Sequence, residues 1–156
     1  MVGRRPHEAI RTGGGMAKTH SPKFLSIVEQ ARSMIPECDA VQLREMLAEG
    51  QPLVVLDVRE RHEYEAGRLA GSIHIGKGVI ERDIEKHDFD DDARLVLYCG
   101  GGFRSAIAAR SLKEMGYSNA ISLWVLRQER TKTLLVREQW RPFAWFQIRI
   151  TDLAHT

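Results

Sequence analysis

Apolar residues recur along this chain with two different periods, and the switching between those periods predicts helices and strands in turn. Phe24, Ile27, Val28, Ala31, Met34 and Ile35 repeat at helical spacing after Ser21-Pro22, a capping serine followed by proline at the first helical position. Pro36 ends that run. Asp39 caps a second helical pattern, Val41, Leu43, Met46 and Leu47, which closes at Gly50. Leu53 to Val58 is different: a nearly continuous apolar stretch holding only Asp57, as a strand buried on both faces requires. Beyond it the pattern predicts a short polar helix over Glu60 to Ala66, closed by Gly67, and a strand over Ser72 to Ile75. A helix over Val79 to Lys86 and an acidic turn over Asp88 to Asp92 follow. Arg94 to Tyr98 is again a buried strand. Arg104 to Met115 is a helix with Ile107, Ala108, Leu112 and Met115 on one face, stopped by Gly116, and Ala120 to Leu123 supplies one more strand.

Strands that alternate with helices form βαβ units. The expected fold class is therefore α/β, with an open, mostly parallel sheet and helices on both faces. Residues 21–123 carry this pattern as one domain. Residues 1–20 are polar, rich in Arg and Gly, and include the Gly13-Gly14-Gly15 run that Met16 follows directly; they read as a flexible tail. Residues 124–156 form an atypical C-terminal segment with no glycine and all three tryptophans, Trp124, Trp140 and Trp145.

Composition narrows the class. The chain's 156 residues suffice for one core and not for two domains of ordinary size. Apolar and charged fractions of 43% and 28% are those of a globular protein. A net charge of +2 gives no footprint for nucleic acid or an anionic membrane, neither of which is expected as a partner. No run of about 18 apolar residues exists to span a bilayer. Arg4 and Arg5 are not followed by the apolar segment of a secretory signal. Cys38 and Cys99 are too few and too far apart for a disulfide framework or a zinc site. The expected compartment is the reducing cytoplasm, where a lone cysteine that matters is catalytic or redox-active. Neither a cofactor nor a metal is expected: Gly76-Lys77-Gly78 lacks the spacing of a phosphate loop, and Asp88, Asp90, Asp91 and Asp92 lack that of a calcium loop.

The stretch that carries chemistry is Leu95-Val96-Leu97-Tyr98-Cys99-Gly100-Gly101-Gly102-Phe103-Arg104-Ser105. A buried strand delivers Cys99 to its carboxyl end, where ligands bind in open parallel sheets. Glycines allow the loop to curl, so that successive N–H groups point inward as an anion-binding concavity. The helix start adds its positive end, and Arg104 a planar cationic fork. An ordinary thiol, near pH 8.5, is only about 3% ionised at pH 7, so such surroundings enlarge the reactive fraction greatly. Asp57 and Arg59, at the end of a neighbouring strand, lie where they could border the pocket, although such residues more often brace loops. His74 reads as packed or hydrogen-bonded, and Cys38 as a residue beside a helix boundary rather than a resolving thiol.

These residues resemble the active-site loop of the single-domain rhodanese-like family. Leu56-Asp57-Val58-Arg59-Glu60 looks like that family's strand motif. Glu63-Tyr64-Glu65-Ala66-Gly67-Arg68-Leu69-Ala70-Gly71-Ser72-Ile73-His74-Ile75 resembles the stretch after it, and Gly116-Tyr117-Ser118-Asn119-Ala120 the turn before the last strand. The resemblance runs from about Asp39 to Leu123 and departs at Trp124-Val125, where the family usually has a glycine pair. It implies a five-stranded parallel sheet and transfer of sulfane sulfur from a small anionic donor such as thiosulfate to cyanide, a thiol or a protein acceptor. It also implies that Cys99 is the nucleophile holding the persulfide, that Gly100, Gly101, Gly102 and Phe103 supply N–H groups, and that Arg104 closes the cradle. Two alternatives stay open. One is a non-catalytic sulfur carrier or redox-sensing module docking on a partner. The other is a phosphatase or arsenate reductase, whose loop in this fold is one residue longer than the four residues between Cys99 and Arg104.

Overall fold

The computed structural model describes residues 20–124. It follows the alternation in the sequence: α1 (Pro22–Met34), β1 (Glu37–Cys38), α2 (Ala40–Ala48), β2 (Val54–Asp57), α3 (Arg61–Ala66), β3 (Ile73–His74), α4 (Ile80–Asp83), a 3₁₀ turn (Ile84–His87), β4 (Leu95–Tyr98), α5 (Phe103–Glu114) and β5 (Ala120–Leu123). The five strands form one sheet in the order β1-β5-β4-β2-β3, with every neighbouring pair parallel. The expected tails lie outside the described residues, apart from His20 and Trp124.

The sheet buries both faces, which is why β2 and β4 carry almost unbroken apolar runs. One face packs Leu56, Val58, Leu95 and Leu97 against Val28 and Ala31 of α1, Ile80 of α4, and Ala108, Ala109 and Leu112 of α5. The other packs Val55, Val96 and Leu123 against Leu43 of α2 and Leu69. Each of the valine, leucine and isoleucine side chains taken fully out of water contributes about 1.5–3 kcal/mol.

Helix starts match their sequence signals. Ser21 Oγ accepts from the Phe24 amide at 3.3 Å. Asp39 Oδ1 accepts from the amides of Val41 and Gln42 at 2.8 and 2.9 Å, while Gln42 returns a bond to the Asp39 amide at 2.9 Å. A reciprocal cap of this kind is worth about 1 kcal/mol, and here it fixes α2 directly onto the end of β1.

Three expectations change. The fifth strand is Glu37–Cys38, between the two first helices, where the hydrophobic pattern gives no strand; it exists because β5 pairs with it. The helix over Val79 to Lys86 is an α-helical turn that tightens into 3₁₀, ending at Asp88 in the left-handed region (φ +51°). The apolar stripes are also narrower than their spacing suggests. Met115 is 39% exposed, and Ile27, Met34 and Leu47 are about half exposed, because each helix touches the sheet along one ridge only. Among the described residues, no helix is long and apolar enough to cross a membrane.

Candidate active site

The strand that leads into the site, β4, is the middle one of five, flanked by β5 and β2, so its carboxyl end is held from both sides. The next residue, Cys99, is 5% exposed and belongs to the apolar cluster under α5. The chain then turns through three glycines into α5. Of these, Gly102 has an evident stereochemical need. It caps the helix at φ +81°, and a Cβ there would meet Trp124 Cδ1 at 3.0 Å. A Cβ on Gly100 or Gly101 would make only ordinary contacts, with Arg104 Nη2 and the Phe103 ring, and neither residue has a positive φ.

The turn aims its donors at the sulfur. The Gly102 amide donates to Cys99 Sγ at 3.1 Å, and Ser105 Oγ lies 3.6 Å from the same atom. Burial opposes ionisation of this thiol. The Gly101 amide, the Ser105 hydroxyl and the Ser105 and Gly102 amides outweigh it, so the thiol is held below its ordinary range. The amides of Gly100 and Phe103 are not among the partners of the sulfur; the Phe103 ring faces α1 instead, 6.1 Å from the Phe24 ring and 5.3 Å from the Arg32 guanidinium.

The Arg104 guanidinium faces the sulfur but is also tied back. Its two terminal nitrogens donate to the two Glu63 carboxylate oxygens at 2.6 and 3.0 Å, a bidentate pair joining α5 to α3. That bond is the chief reason the Glu63 carboxyl sits at about 2, well below its ordinary value of 4.5, burial acting against it. A carboxyl lowered on folding contributes stability that is whole above its unfolded value and fades as pH falls through the folded one. The Glu63→Gln variant should therefore melt below the parent at neutral pH and converge with it as pH drops from about 4.5 towards 2. Thermal melts across that window check this.

Asp57 and Arg59 are bound to each other rather than to the thiol. Fully buried Asp57 accepts from the Arg59 amide at 3.0 Å, from Arg59 Nε at 2.9 Å and Nη2 at 2.6 Å, and from the Tyr98 hydroxyl. Arg59 Nη2 also reaches the Gly67 carbonyl at 2.6 Å, and the Tyr98 hydroxyl accepts from the Leu69 amide at 3.1 Å. Burial above all, and then the bond to Asp57, pushes the Tyr98 phenol up to about 12. This network lies on the sheet face opposite Cys99 and knots together the loops around β2. His74 joins it, its Nε2 2.9 Å from the Arg59 carbonyl and its ring stacked on Tyr64 at 4.7 Å. Cys38 lies in the core of that same face, its thiol pushed up to about 11 mainly by burial.

The sequence reading missed three residues here: Glu63, Ser105 and Ser122. Glu63 finds its partner 41 positions away, so no local pattern announces it. Ser122 did leave a signal, as the one polar residue in the strand Ala120-Ile121-Ser122-Leu123.

A parallel sheet whose central strand delivers a thiol, held towards ionisation by the amides of a short loop at a helix start, defines a cysteine-loop α/β protein. The chain belongs to the rhodanese-like domain family, whose model matches residues 39–124. It is 31% identical over 91 residues to the Bacillus subtilis protein named "Putative sulfur carrier protein YrkF", covering 58% of this chain and 48% of that one. It is 29% identical over 77 residues to the thiosulfate sulfurtransferase GlpE of Coxiella burnetii, covering 49% of this chain and 70% of the relative. The chain thus spans about half the length of the first of these. Among solved structures, a Rhodopseudomonas palustris protein of unknown function, described as a "possible tyrosine phosphatase", matches with a TM-score of 0.55 and 26% identity, over 70% of this chain and 89% of that one.

Proposed function

We propose that this chain is a sulfurtransferase that moves sulfane sulfur from an anionic donor such as thiosulfate to a thiophilic acceptor, by way of a persulfide on Cys99. The observation that carries the reading is the convergence of the Gly101, Gly102 and Ser105 amides on one buried sulfur whose pKa they depress. Thiolate, not thiol, is the attacking species, and this loop favours thiolate. Cys99 Sγ attacks the outer sulfur of thiosulfate; the new S–S bond forms as the old one breaks, and sulfite leaves with the electron pair. An acceptor, whether cyanide, a small thiol or a protein thiol, then attacks the outer sulfur, and Cys99 leaves as thiolate. Two covalent half-reactions imply ping-pong kinetics.

The relatives named for sulfur transfer and sulfur carriage support this chemistry. The four-residue spacing from Cys99 to Arg104 supports it over phosphoryl transfer, because the shorter loop suits a single sulfur better than a tetrahedral phosphate. Incubation with thiosulfate, followed by intact-mass measurement, should add one sulfur to the protein. Cyanide should remove it as thiocyanate. Loading without turnover would instead favour a carrier that hands its sulfur to a partner protein, a reading consistent with a thiol only 5% exposed. No added sulfur, together with hydrolysis of an aryl phosphate, would overturn sulfur transfer altogether.

A further inference from the structure

Beside the thiol stand two buried hydroxyls. Ser105 on α5 and Ser122 on β5 are both fully buried among apolar side chains, their oxygens 2.9 Å apart, and Ser105 Oγ lies 3.6 Å from Cys99 Sγ. A buried hydroxyl without a partner is costly, so two serines at these positions are held by each other and by the sulfur.

Counting donors and acceptors gives the pair a direction. Among the described residues, the Ser105 oxygen is the one hydrogen-bond partner of the Ser122 hydroxyl. A thiolate can only accept. With Cys99 ionised, Ser105 must donate to the sulfur, and Ser122 must donate to Ser105. We propose that Ser122 is a positioning residue for the reaction at Cys99: its hydroxyl, donating to Ser105, turns the Ser105 proton towards the sulfur whenever that sulfur carries the charge. This rests on Cys99 being the nucleophile of the proposed sulfur transfer.

The chain of hydroxyls acts at two moments. It stabilises the thiolate before attack on the donor. It acts again when the acceptor bonds to the outer sulfur, the S–S bond of the persulfide breaks, and its electron pair returns to Sγ. In between, the persulfide charge rests on the outer sulfur, one bond removed from the Sγ that Ser105 faces. Linked hydrogen bonds polarise one another, so the second hydroxyl strengthens the first.

The charged groups around the thiol belong to other pairs, which no change at Ser122 touches. Arg104 on α5 is matched by Glu63 on α3. Across the sheet, on the opposite face, Arg59 is matched by Asp57 at the end of β2. Arg32 on α1, close to Gly102, is matched by Glu37 and Glu29. From β5, Ser122 reaches the sulfur only through the Ser105 hydroxyl of α5.

The test is the pH profile of Cys99 alkylation by iodoacetamide, read by intact mass, in the full chain and in Ser122→Ala. The variant should show the profile displaced to higher pH and a rate at pH 7 lowered about three- to tenfold, the size expected for weakening one hydrogen bond to an ion. Ser122→Thr and Ser122→Val share one shape, so packing strain moves both alike. The threonine variant should keep the parent profile and the valine variant should follow alanine. Coincident profiles for parent, alanine and valine variants would overturn the proposal, as would a displacement in threonine equal to that in valine. Alkylation needs no sulfur donor, so failure of thiosulfate to load the parent protein would count against the proposed function and leave this measurement intact.

Discussion

Replacing Cys99 by serine is expected to abolish thiocyanate formation from thiosulfate and cyanide, by about 10⁴-fold or more. The substitution is nearly isosteric. The Gly102 amide and the Ser105 hydroxyl that face Sγ can face a hydroxyl oxygen instead, so the fold should survive. What vanishes is the chemistry. A serine hydroxyl ionises far too weakly for this loop to make it an anion at neutral pH, and an oxygen cannot store the transferred atom as a persulfide. Colorimetric thiocyanate measurement on the variant, with circular dichroism to establish folding, checks the result. Turnover at the parent rate would remove Cys99 from the mechanism and sink the sulfurtransferase reading.

The largest structural effect is expected at Asp57. Asp57→Ala should lower folding stability by about 3–5 kcal/mol, the usual cost of removing one partner from a buried ion pair. Its carboxylate answers three donor groups at once: the Arg59 amide, the Arg59 guanidinium and the Tyr98 hydroxyl. Deletion leaves the Arg59 side chain, 15% exposed, to find new acceptors, the Gly67 carbonyl alone remaining to its guanidinium among the described residues. Tyr98→Phe removes the hydroxyl's bonds to Asp57, the Leu69 amide and Ser72 but leaves the ion pair, and should cost less, about 2–3 kcal/mol. Urea unfolding of both variants gives the comparison. In whatever fraction stays folded, Cys99 should alkylate at the parent rate, because the Asp57 network faces the other side of the sheet. A changed alkylation rate would show that Asp57 borders the pocket rather than bracing the loops.

What could be read from the sequence was what is local. Unbroken apolar runs identify β2 and β4 because a strand covered on both faces needs no alternation. The loop at Cys99 was legible because strand, thiol, glycines and helix start occur within eleven consecutive residues. β1 was invisible because two residues between Pro36 and Asp39 have no period of their own; they become a strand only when Glu37 and Cys38 meet Ser122 and Leu123. The same reason hid Glu63 and Ser122. Each acquires its role from a partner distant in the chain, 41 residues away for Arg104 and 17 for Ser105. The triple glycine carries less stereochemical weight than its composition implied, since positive φ and a crowded Cβ coincide at Gly102 alone.

Both outer margins of the sheet are strands of two residues, Glu37–Cys38 and Ile73–His74, with the four-residue strands inside. A foreign chain arriving at either rim would find a ledge too short to template a ladder against itself. Growth of the sheet from one molecule into the next is thereby discouraged by geometry. Fraying at the periphery must likewise travel inward before it unseats the strand beneath the thiol.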